Sequence, residues 1–196
     1  MSQTLAKFSA ADLAALGPLI ALPTGAATAV QGCAAVGEAL DRLEAGGFLV
    51  EATRLVAHAL PRREAVWWAC MCATHTAPPD LPDPDRKARE TAEHWVRQQS
   101  EKLRREAMAL AEASGFATPE AWAGVAAFWC GDSMAPEGQP AVPPAPHLAQ
   151  TAVAGAIALA SVRGDPRRQA SRLKRFLESG RNIAAGGPGR LPAEEM

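Results

Sequence analysis

The run His58-Ala59-Leu60-Pro61-Arg62-Arg63-Glu64-Ala65-Val66-Trp67-Trp68-Ala69-Cys70-Met71-Cys72 decides the fold. One helix ends at Leu60, and Pro61 opens the next, because proline fixes φ and lacks an N–H that the first turn would leave unused. Adjacent helical positions diverge by about 100° around the axis, so Trp67 and Trp68 must face different neighbours. A helix with a large aromatic on each of two sides, followed by Ala, Cys and Met, is expected to be wrapped on most sides by other helices.

Outward from this run, the pattern stays helical. Ala, Leu, Glu and Arg are abundant, Tyr is absent, Ile occurs three times, and no stretch alternates in the way a half-buried strand requires. The fold class is all-α. With 196 residues and no repeat of fixed period, the chain is expected to form one helical bundle over residues 1–180, with a flexible tail at 181–196 that is rich in Gly and Pro. The four prolines between Ala77 and Pro84 break the chain and suggest a seam between two halves of the bundle.

Capping residues and apolar spacing give seven or eight helices. Ser9 is read as capping a short helix through Leu16, a second runs from Thr28 to Ala45, and Gly46-Gly47 stops it. A third spans Phe48 to Leu60, and the tryptophan helix ends near His75. Asp83-Pro84 starts the next, Ser100 caps another that Gly115 ends, and Thr118-Pro119-Glu120 starts one closed by Gly131. Leu148 to Val162 is apolar almost all round, which places it centrally, and Gly164-Asp165-Pro166 turns into a last helix whose inner stripe is Ala170, Leu173, Phe176 and Leu177.

Charge and composition limit the function classes. A formal net charge of −1 argues against a protein devoted to nucleic acid, a reading that would also require affinity to fall steeply with salt. No apolar helix reaches the ~20 residues that span a bilayer. The first residues make a poor secretory signal, and Val30-Gln31-Gly32-Cys33 echoes a lipoprotein cleavage site without its apolar lead. Four cysteines, Cys33, Cys70, Cys72 and Cys130, are too sparse for a disulfide scaffold and read as reduced. The expected location is cytoplasmic.

Candidate chemistry is thin. Gly131-Asp132-Ser133-Met134, with His147 downstream, echoes the Gly-Asp-Ser start of a class of serine esterases, but that motif needs a strand and an α/β sheet to present its serine. Cys70 and Cys72 diverge by about 200° on a helix and cannot chelate together. His58, Arg63 and Glu64 are a candidate polar cluster at the Pro61 junction, serving either a ligand or the free backbone ends of the two helices. No catalytic, metal or cofactor-binding residue is assigned, and no phosphate-cradling glycine loop is visible.

Two features read as interaction surfaces. Arg163 to Arg181 carries seven cations against Asp165 and Glu178, with Arg168, Arg172 and Arg175 along one flank of the last helix, a pattern suited to an acidic partner or to plain solvation. Gly131 to Pro146 holds Pro136, Pro140, Pro143, Pro144 and Pro146. A loop of this length in a compact domain is either functional or a packed strap, and proline stiffens it into extended geometry.

The stretch Glu51 to Ala69, with its His-Ala-Leu-Pro-Arg-Arg-Glu-Ala-Val-Trp-Trp-Ala core, resembles the signature of a family of uncharacterised bacterial all-helical proteins. Phe128-Trp129-Cys130-Gly131 with Ser133, Ala135-Pro136 and the proline run is similar to its second block, and Ala152-Val153-Ala154-Gly155-Ala156 to its third. Asp132 stands where that pattern would place a small residue. The resemblance covers the chain to about Arg181 and implies a gene neighbourhood near type VI secretion, alongside spike and adaptor proteins. It supplies no catalytic residues. The function expected is therefore a non-enzymatic protein-binding accessory factor, an adaptor or effector chaperone whose partner is a secretion-spike or effector protein. The alternative is a small helical hydrolase or ligand-binding enzyme using Ser133 or the His58, Arg63 and Glu64 cluster.

Overall fold

The computed structural model describes residues 5–8 and 11–195. They form ten α-helices, α1 (Leu13–Ile20), α2 (Thr24–Ala29), α3 (Val36–Ala45), α4 (Leu49–Ala59), α5 (Arg62–His75), α6 (Asp83–Gln98), α7 (Glu101–Ala113), α8 (Pro119–Phe128), α9 (Leu148–Val162) and α10 (Gln169–Ala184), with short 3-10 turns at Ala6–Phe8 and Pro166–Arg168. No strand occurs among the described residues.

Helices α5 and α9 occupy the centre. The chain from α6 to α8 packs on one side, and α4, α10 and the small helices α1 and α3 close the other. One continuous apolar cluster runs from Phe8 to Ala184 across both sides of the Pro78–Pro82 turn. The wrapped tryptophan helix is found: Ala65, Val66, Trp68, Ala69, Cys70, Met71, Cys72 and Ala73 are all buried. Trp68 points to α10 and donates Nε1–H to Phe176 O at 2.8 Å, while half-buried Trp67 donates to Pro188 O at 2.7 Å. The two indoles take different neighbours, as their angular separation requires.

Capping follows local chemistry. Ser100 Oγ accepts from Leu103 N and Thr118 Oγ1 from Ala121 N, each satisfying an orphan donor of a first turn. Thr118 in turn donates to buried Asp85 at 2.7 Å, tying α8 to α6.

Several sequence expectations need correction. The helix read from Thr28 to Ala45 is two helices, because Gly32 takes a left-handed φ of 77° and breaks the run. The first helix is capped by Asp12 and runs to Ile20; the predicted cap Ser9 lies outside the described residues. Helix α8 stops at Phe128, ahead of Gly131, and Ala170, in the first turn of α10, is exposed, whereas Leu173, Phe176 and Leu177 are buried as expected.

The tail also differs from expectation. Helix α10 continues past Arg181 to Ala184, and residues 186–195 then form a strap that folds back over α10 and crosses the end of α5. Gly186 and Gly189 take left-handed φ values of 94° and 60°, so these residues make turns that return the chain to the bundle. Ser179 Oγ donates to Gly189 O at 2.5 Å and Gly189 N donates to Asn182 Oδ1 at 2.8 Å.

Candidate functional site

At the Pro61 junction the expected cluster separates into a Glu64 group and an isolated histidine. Glu64 faces Lys7 at 3.1 Å and Arg63 at 3.6 Å. Burial opposes its charge, but the Lys7 hydrogen bond and the two cations hold its carboxyl below the ordinary value. His58 sits apart, half-buried near His147. Burial first, and then the charge of His147, lower its pKa to about 4. Among the described residues no hydrogen bond joins His58 to Arg63 or Glu64, so the neutral imidazole and the ion pair do not form one constellation. Lys7, a partner from another part of the chain, gave no local signal.

The proline loop is built on an arginine. Arg104, 2% exposed, lies over the Phe128 ring with Cζ 4.6 Å from its centroid. It donates Nη1–H to Phe128 O at 2.6 Å and Nη2–H to Ser133 O at 2.9 Å, while Glu101 at 2.5 Å balances its charge. Arg105 donates to Ala135 O at 3.0 Å, and Met134 N to Val142 O at 2.7 Å. Ser133 Oγ accepts from Ala135 N at 3.1 Å and Val142 N at 3.0 Å, which engages it in closing the loop. At the far end, Arg62 donates to Pro146 O at 3.1 Å. The outer edge is open to solvent: Pro140 and Pro143 are exposed, Val142 is 50% exposed and Pro144 is half-buried.

Three of the four cysteines have their thiols held protonated by burial. Burial pushes the Cys130 thiol up to about 12 and raises Cys70 and Cys72 well above the ordinary thiol value. Among the described residues no three His, Cys, Asp or Glu side chains gather as a metal ion would need, and no helix is long and apolar enough to cross a membrane.

The basic segment is not a continuous charged face. Arg163 forms a two-pronged pair with Glu120, whose side chain is fully buried. Arg181 holds Asp41 at 2.6 Å and Glu44 at 2.9 Å, and Arg167 pairs with Asp165 at 3.0 Å. Arg172, expected on the surface, is 5% exposed. It donates to Ser161 O at 3.2 Å and Arg163 O at 2.5 Å and grips Glu194 at 2.7 Å. Arg168 reaches the same Glu194 at 3.4 Å. Of the three arginines expected to act together, only Arg175 is exposed and without an ion-pair partner among the described residues. Apart from Asp165, the carboxylates that pair with this segment, Glu120, Glu194, Asp41 and Glu44, lie far away in sequence, which is why local charge counting missed them.

Around Glu194 the strap crosses a cleft. His75, 2% exposed, donates Nδ1–H to Pro192 O, and its backbone carbonyl accepts from Glu194 N at 2.8 Å. The Arg172 hydrogen bond holds the Glu194 carboxyl below its ordinary value against the effect of burial. Two cavities flank the strap. One, of about 310 Å³, is lined by His75, Arg163, Arg168, Arg172 and Glu194. The other, of about 420 Å³, is lined by His75, Arg168, Arg175, Pro192 and Glu194. His75 Nε2 is buried with no hydrogen-bond partner.

Neither a curated protein nor a solved structure matches the chain. The profile of a family of unknown function, DUF6931, matches residues 39–184. That span begins in α3 and ends with α10, and so takes in the tryptophan helix, the arginine-seated loop and both central helices. The chain belongs to the DUF6931 family.

Proposed function

We propose that this protein is a non-catalytic binding factor of the bacterial cytoplasm, an adaptor or effector chaperone associated with type VI secretion, which contacts its partner through the outer edge of the 131–146 loop. The observation that carries this reading is the way the loop is fixed. Arg104, Arg105 and Ser133 hold its backbone from inside, and Pro140, Val142 and Pro143 are left facing solvent. Ordering a free segment on binding costs about 1–2 kcal/mol per residue in backbone entropy, and a loop already held in shape avoids most of that.

The hydrolase reading draws less support. Ser133 Oγ accepts two backbone amides, and the base expected beside it, His147, lies instead near His58.

The test is affinity capture from the native bacterium with tagged wild type and a Val142→Asp/Pro143→Ser variant, the captured proteins identified by mass spectrometry. Secretion-spike or effector proteins held by the wild type and lost from the loop variant are expected. Capture of neither class, or equal capture by both forms, overturns the proposal.

A further inference from the structure

We infer that the cleft between the end of α5, the α9–α10 turn and α10 is a binding site for an extended acidic peptide segment of a partner protein, and that the strap 186–195 occupies it in cis. This goes beyond the proposed function, since it concerns a different surface and holds whatever the proline loop contacts.

Three observations converge on it. First, the recognition chemistry is already displayed. Glu194 places its carboxylate against Arg172 and Arg168, while the strap backbone exchanges two hydrogen bonds with His75, one in each direction. A carboxylate on an arginine fork plus main-chain pairing is how a cleft reads an extended acidic chain. Second, the fit is loose. Pockets of about 310 and 420 Å³, open to solvent, adjoin the strap, so it does not fill the cleft it crosses. A segment that leaves such space beside it is a replaceable occupant, and a bulkier acidic segment would fill more of the cleft. Third, one side chain against the strap is left incompletely paired. His75 lines both cavities, and its buried Nε2 has no partner.

The charge arrangement gives the ligand its sign. Glu120 neutralises Arg163 from the core side and Asp165 pairs with Arg167, so Glu194 is the carboxylate in ion-pair contact with Arg168 and Arg172 among the described residues. When the strap leaves, two guanidinium groups face the cleft with no carboxylate in ion-pair contact, since Asp165, which lines the same cavity, is engaged by Arg167; one of the two is fixed by the Ser161 and Arg163 carbonyls. An incoming carboxylate therefore meets a preorganised site.

The strap can be unseated without touching the arginines. Gly189 has φ of 60°, and a Cβ there would lie 2.5 Å from Ile183 Cδ1 and 3.1 Å from Ser179 O, so Gly189→Val expels the turn that returns the strap to α10. The probe is a fluorescein-labelled peptide of residues 186–195, Gly-Gly-Pro-Gly-Arg-Leu-Pro-Ala-Glu-Glu, titrated by anisotropy against full-length proteins. Gly189→Val/Glu194→Gln is expected to bind it roughly tenfold more tightly than wild type, because the occupied fraction of the site no longer reduces the apparent affinity. Adding Arg172→Gln, or replacing the penultimate Glu of the peptide by Gln, should remove that gain. Glu194→Gln alone, which leaves the glycine turn and the core intact, should show a smaller gain in the same direction and covers the case in which Gly189→Val fails to fold. Equal binding by wild type and the folded variants, binding indifferent to the peptide carboxylate, or displacement of the peptide by millimolar inorganic phosphate would each overturn the inference.

Discussion

The side chain of Arg104 occupies the space where residue 131 would carry a Cβ. An added methyl group at Gly131 would lie 2.5 Å from Arg104 Cδ and 2.6 Å from Cζ. Gly131 has no left-handed φ, so its requirement is for space. Gly131→Ala should destabilise by about 1–3 kcal/mol, as overpacking does, read as a shift in the urea midpoint. Arg104→Ala should cost about 2–4 kcal/mol by leaving the Ser133 carbonyl unpaired, the Phe128 carbonyl with only its bond from Gly131 N, and the Phe128 ring without its cation. In the double variant the alanine methyl has nothing left to strike, so the two losses should be clearly less than additive. Additive losses would mean the glycine serves something other than the arginine.

A second close approach joins the two halves of the family-matched span. A Cβ at Gly180 would meet Val56 Cγ1 at 2.9 Å and Trp68 Cε2 at 3.1 Å, so α10 can lie this close to α4 and α5 only with glycine there. Alanine is better than glycine in a helix by about 1 kcal/mol, yet Gly180→Ala should lower stability, because the rigid indole and a β-branched neighbour cannot both withdraw. Thermal unfolding by circular dichroism reads the sign directly. A raised midpoint would contradict the packing described.

These two glycines mark where sequence reading stopped. The helices around Pro61, Ser100, Thr118 and Asp165 were legible because caps and prolines act within one turn of the residues they control. The break at Gly32 was missed because apolar spacing continued through it, and the packed strap because Gly and Pro serve equally in loose tails and tight returns. The arginines were visible as charges, but their roles depend on partners distant in sequence. Arg172 meets Glu194 across 22 positions and Arg163 meets Glu120 across 43. A charge pattern read along one helix therefore took a buried clamp for part of a surface.

His58 gives the molecule a pH response with a defined sign. Its folded pKa is about 4 against an ordinary 6.5, so the unfolded chain takes up a proton first as pH falls. The stability it contributes is fully present above 6.5 and declines as pH drops toward 4. With its partial solvent contact discounted, the loss should be on the order of 1–2 kcal/mol. His58→Gln should remove this component, so the difference between the urea midpoints of the two proteins should vary between pH 6.5 and 4 and flatten above. His147→Gln should raise the His58 pKa, measured by imidazole NMR titration, since the second-largest cause of its depression is the charge of His147.

The Arg163–Glu120 pair offers the cleanest distinction between a buried charge that stabilises and one that is merely matched. Glu120 is fully buried in the first turn of α8, and Arg163 reaches it from the end of α9, so the pair fixes how those two helices meet. Removing the arginine alone, as Arg163→Met, strands a carboxylate in the core and should cost about 3–5 kcal/mol. Replacing both, as Glu120→Leu/Arg163→Met, removes the stranded charge together with its desolvation cost and should recover most of that loss. The urea-unfolding cycle over the four proteins should therefore give a large favourable coupling. Peptide binding supplies an independent check, because the Arg163 backbone carbonyl accepts a hydrogen bond from Arg172. If the double variant regains stability while its affinity for the 186–195 peptide stays at the wild-type level, the Glu120 pair orders the helices without setting the cleft; a changed affinity would make it part of the site.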